Sequence, residues 1–262
     1  MNPVPPAPAG FSLAGQIVLL TGGAGLYGRG LAAQLAEAGA TLILASRNLP
    51  ALEQVAVEER ALGRIVHARV LDQADESSIL RLRDGVLQEF GRVDGLVNNA
   101  VARPMKSADA PLADWEASMK TNATGFFAIS RAFGDTMAAQ GRGSIVNIGS
   151  IQGVVGPDYS LYEGLNMHAI PDYFFHKAGM VNLTKFFAAR YGPQGVRVNC
   201  LSPGGFFSGQ HPTFVERYKK ATFLQRMADD RDLGGPVIFL LSEAARYVTG
   251  VNLPVDGGYT AH

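Results

Sequence analysis

The stretch that most constrains this chain runs from Gln16 to Gly39, QIVLLTGGAGLYGRGLAAQLAEAG. Its first part, Ile17 to Leu20, is an unbroken apolar run. That reads as a strand buried on both faces, the habit of parallel sheets. The glycine turn Gly22-Gly23-Ala24-Gly25-Leu26-Tyr27-Gly28 follows at once, and the next residues read as a helix closed by Gly39. Strand, glycine turn and helix place free backbone N–H groups and a positive dipole end where glycines admit a phosphate closely. In that context Gly23-x-Gly25-x-x-Gly28 predicts a dinucleotide site rather than a merely structural turn.

Strands and helices alternate through the rest of the chain. A second buried strand, Ala40 to Arg47, ends in Ser46-Arg47-Asn48. An acid at that place serves the ribose hydroxyls of NAD; an arginine suits the extra phosphate of NADP. NADP(H) is therefore the favoured cofactor and NAD(H) the alternative. A helix over about 50–62 leads to a strand over 64–72, whose Leu71 and Asp72 lie at its carboxyl end. Asp72 either faces an adenine or caps the next helix, which begins near Asp75 and runs to Phe90. The strand at 95–100 ends in Asn98 and Asn99, whose amides suit backbone groups beside a cofactor, or a simple turn.

One long helix is expected over 111–140, with Asn122 inside it. Asparagine is a weak helix former, so a kink or a bound water is the expected reason for it. The strand at 143–150 ends in Ser150, placed for substrate work or for capping. Residues 151–172 are rich in Gly, Pro, Tyr and Asn and read as a loop. A helix then carries Tyr173 and ends at Gly192-Pro193. A strand at 195–205 closes on Pro203-Gly204, residues 206–232 suit a lid, a short helix spans about 233–242, and a last strand lies within 247–259. The expected fold is one Rossmann-type, doubly wound parallel sheet of about seven strands with helices on both faces. It forms a single domain over 13–262, preceded by a flexible, proline-rich arm over 1–12 and carrying a substrate loop at about 204–232.

Tyr173 and Lys177 stand four residues apart, one above the other on a helix face. An ammonium group near a phenol favours the phenolate, so such a pair can exchange a proton with a carbonyl or alcohol oxygen near neutral pH. The same spacing also occurs on ordinary helix surfaces.

Charge narrows the partners. Lys plus Arg and Asp plus Glu are each 23 of 262 residues, a balance that argues against nucleic acid or an anionic membrane as the main partner. No apolar run approaches a membrane span, and the start lacks a signal peptide's pattern. The single Cys200 excludes an internal disulfide framework and suits a cytoplasmic setting. The five histidines show no metal-ligand spacing, so no metal is expected.

Taken together, TGGAGLYG, Asp72, Asn98-Asn99-Ala100, Asn122, Ser150, the Tyr173–Lys177 pair, Ser-Pro203-Gly204-Gly and VTGVNLPVDGG resemble the classical short-chain dehydrogenase/reductase family from residue 13 to 260. The resemblance implies a catalytic tetrad. Tyr173 would be the acid/base, Ser150 would hydrogen-bond the substrate oxygen, and Lys177 would tune the phenol and hold the nicotinamide ribose. Asn122 would hold a water linking Lys177 to solvent. It further implies cofactor contacts at Gly22, Gly23, Gly25, Leu26, Tyr27, Gly28, Ser46, Arg47, Asn48, Leu71, Asp72, Asn99, Ala100, Tyr173, Lys177, Pro203 and Gly204. A homodimer or homotetramer is implied as well. Three features depart from the pattern. The glycine turn is spaced as in the family's extended branch. Val101 stands where glycine is usual. Ser150 and Tyr173 lie 23 residues apart, with the added residues, about Tyr159 to Ile170, expected at the pocket mouth.

Substrate contacts are expected at Ser150, Gln152, Tyr162, His168, Tyr173 and Phe206. Arg103, Tyr159, Glu163, Asn166, Phe207, His211 and Arg217 are further pocket candidates. This polar and aromatic mixture favours a sugar, sugar acid or polyol, and an NAD(P)-dependent oxidoreductase interconverting a secondary alcohol and a ketone. The alternatives are a 3-oxoacyl thioester (acyl-carrier-protein) reductase and a non-catalytic NADP-binding regulatory protein.

Overall fold

Strand β1 (Ile17–Thr21) is buried at every position, and alternate side chains feed two different cores. Val18 and Leu20 point to one face; Ile17 and Leu19 point to the other. That is the period-two consequence of covering a sheet on both sides. The computed structural model describes residues 9–261; residues 1–8 of the expected arm lie outside them. Ala9–Phe11 form a short 3-10 turn, and the Phe11 ring rests 6.0 Å from that of Phe239.

Among the described residues seven parallel strands make one sheet in the order β3-β2-β1-β4-β5-β6-β7. The others are β2 (Thr41–Ser46), β3 (Val66–Val70), β4 (Gly95–Asn98), β5 (Gly143–Ile148), β6 (Val196–Pro203) and β7 (Asn252–Val255). The doubly wound architecture is the one expected. Val18 of β1 pairs with Leu42 on one side and Gly95 on the other, so strand order reverses between β1 and β4. The loops leaving their carboxyl ends part there and open a crevice.

One face is covered by α1 (Leu26–Glu37), α2 (Leu49–Ala61) and α8 (Gly234–Leu241). The opposite face is covered by α3 (Glu76–Phe90), α5 (Phe126–Gln140) and α6 (Pro171–Tyr191). Phe133 and Phe187 are almost wholly buried in that second core. Each contributes roughly 1.5–3 kcal/mol through removal of its ring from water. Proline at the first turn of α6 costs no hydrogen bond, so this helix starts two residues ahead of Tyr173.

The single helix expected over 111–140 is instead interrupted. It consists of α4 (Leu112–Met119), a wide π turn at Lys120–Gly125, and α5. The cause is Asn122. Its Nδ2 donates to the Ala102 carbonyl (2.8 Å) and to Ser118 Oγ (2.9 Å), and its Oδ1 accepts from Ala102 N–H (2.8 Å). A bulge of this kind lets a buried side chain satisfy a neighbouring loop. Gly125 allows the close approach, since a Cβ there would stand 2.0 Å from the Gln73 carbonyl.

The expected loop and lid carry structure of their own. Residues 151–170 contain two 3-10 turns, Ile151–Gly153 and Tyr159–Leu161, and the 204–232 stretch contains α7 (Pro212–Lys220). These segments share a small core of Ile151, Leu161, Phe214, Tyr218 and Met227. The Tyr162 and Phe214 rings meet at 5.5 Å. Arg217 donates to the carbonyls of Leu161 (3.4 Å) and Glu163 (2.7 Å), so it pins the insertion rather than facing the pocket.

Candidate active site

A cleft of about 1040 Å³ follows the carboxyl edge of the sheet. At one end it is lined by Gly22, Gly25, Leu26 and Tyr27 of the glycine turn, then Ser46, Arg47 and Asn48 after β2, and Leu71 and Asp72 after β3. Gly22 has φ +69°, and a Cβ there would meet Ala100 Cα at 3.0 Å. Its backbone demands glycine. Gly28 is required differently: a Cβ there would stand 2.1 Å from the Gly22 carbonyl oxygen. Gly23 and Gly28 do not line the cleft; they shape the turn behind it.

Helix α1 begins at Leu26 with Gly25 as its N-cap, no side chain caps it, and its first turn carries no acid. Its leading N–H groups therefore face the cleft as a ready anion site. Arg47 is exposed, lines the same end, and its side chain makes no ion pair or hydrogen bond with any described residue. These features fit a dinucleotide carrying an extra phosphate. Asn48 lines the cleft but its Oδ1 also caps α2, accepting from Ala51 N–H at 3.1 Å. Asp72 accepts from Ala74 N–H (2.9 Å), and the cap of α3 is Asp75 instead.

The middle of the cleft is fixed by the asparagines after β4. Asn99 Nδ2 donates to the carbonyls of Thr21 (3.0 Å) and Gly22 (3.1 Å), and Thr21 Oγ1 accepts from the N–H groups of Asn99 and Ala100. The glycine turn and the β4 loop are thus one unit. Val101 keeps a negative φ, so the β-branched residue fits where glycine is usual. Asn98 lies deeper, donating to Ser130 and Asn147.

At the far end Ser150, Tyr173 and Lys177 line the same cleft, while Asn122 does not. The side chain of Asn122 is fully engaged with Ala102 and Ser118 and supports the cleft wall from behind. Lys177 is buried, donates to the Ile148 carbonyl at 2.5 Å, and places Nζ 5.5 Å from the centre of the Tyr173 ring. Desolvation pulls its ammonium below the ordinary lysine range; Tyr173 and Cys200 oppose this and Arg103 adds to it. Ser150 Oγ accepts from Gln152 N–H (3.1 Å), which leaves its own proton free to point at a ligand. Serine's capping role and a substrate role are therefore compatible.

Two neighbours of Tyr173 were not assigned to it from the sequence. The Arg103 guanidinium lies over its ring, Cζ at 4.8 Å from the centre. The His176 ring meets it edge-on at 5.2 Å. His176 is buried with neither ring nitrogen hydrogen-bonded, and burial first, then Lys177 and Arg103, push it down to about 3. Tyr27 forms another wall. Its hydroxyl donates to the Gly204 carbonyl (2.9 Å), its ring packs edge-on against Phe206 (4.7 Å), and burial raises it well above the usual phenol range.

Gln152, Tyr162, Asn166, His168, Pro203, Gly204 and Phe206 also line the cleft. Tyr159, Glu163, Tyr162 and His168 border an adjoining hollow of about 690 Å³ beneath the insertion. Phe207 and His211 border neither; His211 caps α7 by accepting from Thr213 N–H. Among the described residues no group of three or more His, Cys, Asp or Glu side chains could hold a metal ion.

Comparison with known proteins bears on this site. A family model described as Enoyl-(Acyl carrier protein) reductase matches residues 26–260. The chain is 33% identical over 259 residues to galactitol 2-dehydrogenase (L-tagatose-forming) of Cereibacter sphaeroides, covering 95% of this chain and 97% of the relative. A crystal structure of a short-chain type dehydrogenase/reductase from Mycobacterium marinum superposes with a TM-score of 0.86 at 30% identity, covering 97% and 98% of the two chains. The chain belongs to the classical short-chain dehydrogenase/reductase family. A further member, gluconate 5-dehydrogenase from Burkholderia cenocepacia in complex with NADP and tartrate, has a TM-score of 0.88 at 31% identity over 97% of this chain and 98% of that one. The sheet order and the cleft at its switch point are thus those of a nicotinamide-dependent dehydrogenase fold.

Proposed function

We propose that this chain is an NADP(H)-dependent oxidoreductase that interconverts a secondary alcohol and a ketone on a sugar, sugar acid or polyol. The observation that carries the reading is the buried ammonium of Lys177 beneath the Tyr173 ring, in a cleft shared with the strand-end Ser150 and the uncapped start of α1. The substrate class is supported by the polar side chains of Arg103, Gln152, Asn166 and His168 in the cleft and by relatives whose names specify galactitol and gluconate.

NADP, when bound, supplies or accepts the hydride. Gly22, Leu26 and Tyr27 would hold its pyrophosphate, Arg47 its extra phosphate, and Asn99 with Ala100 the middle of the molecule. In the reducing direction Tyr173 Oη gives its proton to the carbonyl oxygen as charge builds there. Ser150 Oγ donates a hydrogen bond to that oxygen, and Lys177 stabilises the phenolate left behind. In the oxidising direction the phenolate takes the alcohol proton. A cytoplasmic setting fits the lone, buried Cys200. A two-fold dimer or tetramer fits Phe175 and Phe186, both more than half exposed on the outer face of α6.

The test is spectrophotometric: reduced-nicotinamide absorbance with a panel of polyols and sugar acids, for the native chain and Tyr173→Phe. Turnover should fall by roughly 10²–10⁴-fold in the variant while cofactor binding persists. Undiminished turnover would sink the reading. NADPH should bind more tightly than NADH, and Arg47→Ala should erase the difference; equal or tighter NADH binding removes Arg47 from the cofactor site. The second reading is a 3-oxoacyl thioester (acyl-carrier-protein) reductase; the family model is described by a different reductase of acyl-carrier-protein substrates. A carrier protein would need a basic docking face, and the balanced charge offers it no support.

A further inference from the structure

The Arg103 guanidinium is a cation with its donors unspent at the reaction centre. It lines the cleft 4.8 Å above the Tyr173 ring, yet its side chain forms no hydrogen bond or ion pair with any described residue. Only its carbonyl is engaged, by Lys106 Nζ at 2.8 Å. A guanidinium held over a ring face without hydrogen bonds keeps its N–H donors for a planar, two-oxygen anion.

The cleft holds no counter-ion for it. Asp72 lies at the glycine-turn end and accepts from Ala74 N–H; Asp158 accepts from Ser160 N–H and Oγ; Asp172 is only 2% exposed. The other cation at the centre, Lys177, is buried and donates to Ile148. No ion pair joins any of these three carboxylates to Arg103 or Lys177, and the buried Asp172 Oδ1 has no hydrogen-bond partner.

We infer that Arg103 anchors a substrate carboxylate, so that the reacting alcohol belongs to a hydroxy acid of the sugar-acid class rather than to a neutral polyol. This rests on the oxidoreductase reading above and narrows it. A carboxylate held by Arg103 would share the cleft with Tyr173, whose ring the guanidinium overlies. A neutral polyol leaves the cation to water and gains nothing from it.

The experiment compares an aldonate, the alditol of the same carbon chain and its terminal phosphate ester, with saturating cofactor, in the native chain, Arg103→Gln and Arg103→Lys. Thermal melting and cofactor binding confirm that each variant is folded. The native chain should prefer the aldonate by about tenfold or more in kcat/KM, as a charge-assisted pair implies. Arg103→Gln should cut aldonate kcat/KM about tenfold more than alditol kcat/KM, chiefly through KM, and Arg103→Lys should recover part of the loss. Equal losses on both substrates would show that Arg103 merely positions Tyr173. A native preference for the alditol or the phosphate ester would also overturn the carboxylate assignment while leaving the oxidoreductase reading intact. Turnover of none of the three would instead sink that reading. Calorimetric binding of the aldonate to the NADP-saturated protein then decides the subsite, and binding unchanged in Arg103→Gln overturns it.

Discussion

The Tyr27 hydroxyl donates a 2.9 Å hydrogen bond to the Gly204 carbonyl, joining the glycine turn to the head of the substrate loop across 177 residues of sequence. The Tyr27 ring also leans edge-on against Phe206. Tyr27→Phe keeps the ring contact and removes the hydrogen bond. We expect a loss of about 1 kcal/mol in unfolding free energy and faster amide exchange confined to residues 204–232. Exchange mass spectrometry with and without NADP checks this; unchanged exchange in that stretch would mean the bond holds nothing.

Gly28→Ala and Gly85→Ala should act in opposite directions. At Gly28 the new methyl meets a backbone oxygen at 2.1 Å, so α1 must move away from the turn. We expect roughly 1–3 kcal/mol of destabilisation and weaker cofactor binding. Gly85 sits mid-α3 with nothing within 4 Å, so alanine there should stabilise by about 0.5–1 kcal/mol. Denaturant titration of both variants distinguishes steric need from helix propensity.

Asn122→Asp keeps the acceptor for Ala102 N–H and deletes both donors at a side chain that is 3% exposed. The Ala102 carbonyl then loses its donor and faces a buried carboxylate oxygen instead. A loss on the order of 2–4 kcal/mol follows. Calorimetry gives the answer, and a melting temperature equal to the native one would mean that the π turn stands without Asn122.

His176 makes stability depend on acidity. It is held at about 3 against an ordinary 6.5, by burial and then by Lys177 and Arg103. Between those values the unfolded chain binds a proton at this site and the native chain does not. Its contribution is whole above about pH 6.5 and is lost as pH falls towards 3. The loss between about pH 7 and 4 is on the order of 3 kcal/mol. His176→Asn should therefore show a smaller decline in urea stability over that interval than the native chain. Asp172, whose buried Oδ1 is unpartnered, and Tyr173 lie on the same helix and stay unchanged in the comparison. An equal or steeper decline in the variant would refute the assignment.

The parts readable from sequence were those set by neighbours in the chain. The run Ile17–Leu20 followed by Gly22 announces a strand and a tight turn without further context, and Tyr173 and Lys177 announce a shared helix face. What escaped were partnerships between distant segments. Asn122 announced a kink or a bound water in one helix, but not its partner, Ala102, which lies on another loop. Arg217 looked like a pocket residue, yet its fork holds the carbonyls of Leu161 and Glu163. Arg103 was one polar candidate among several until the fold set it over Tyr173. Asn48 illustrates a middle case, where one side chain both borders the cleft and caps a helix.

The reversal of strand order between β1 and β4 divides the molecule's labour geographically. Arg47 belongs to the half built from β1–β3, whereas Arg103, Ser150 and Tyr173 belong to the half built from β4–β6. On the function proposed above, coenzyme choice and substrate choice would be written into opposite halves of the sheet. The Tyr27–Gly204 and Asn99–Gly22 hydrogen bonds then mark the seam that an engineer exchanging one half must keep.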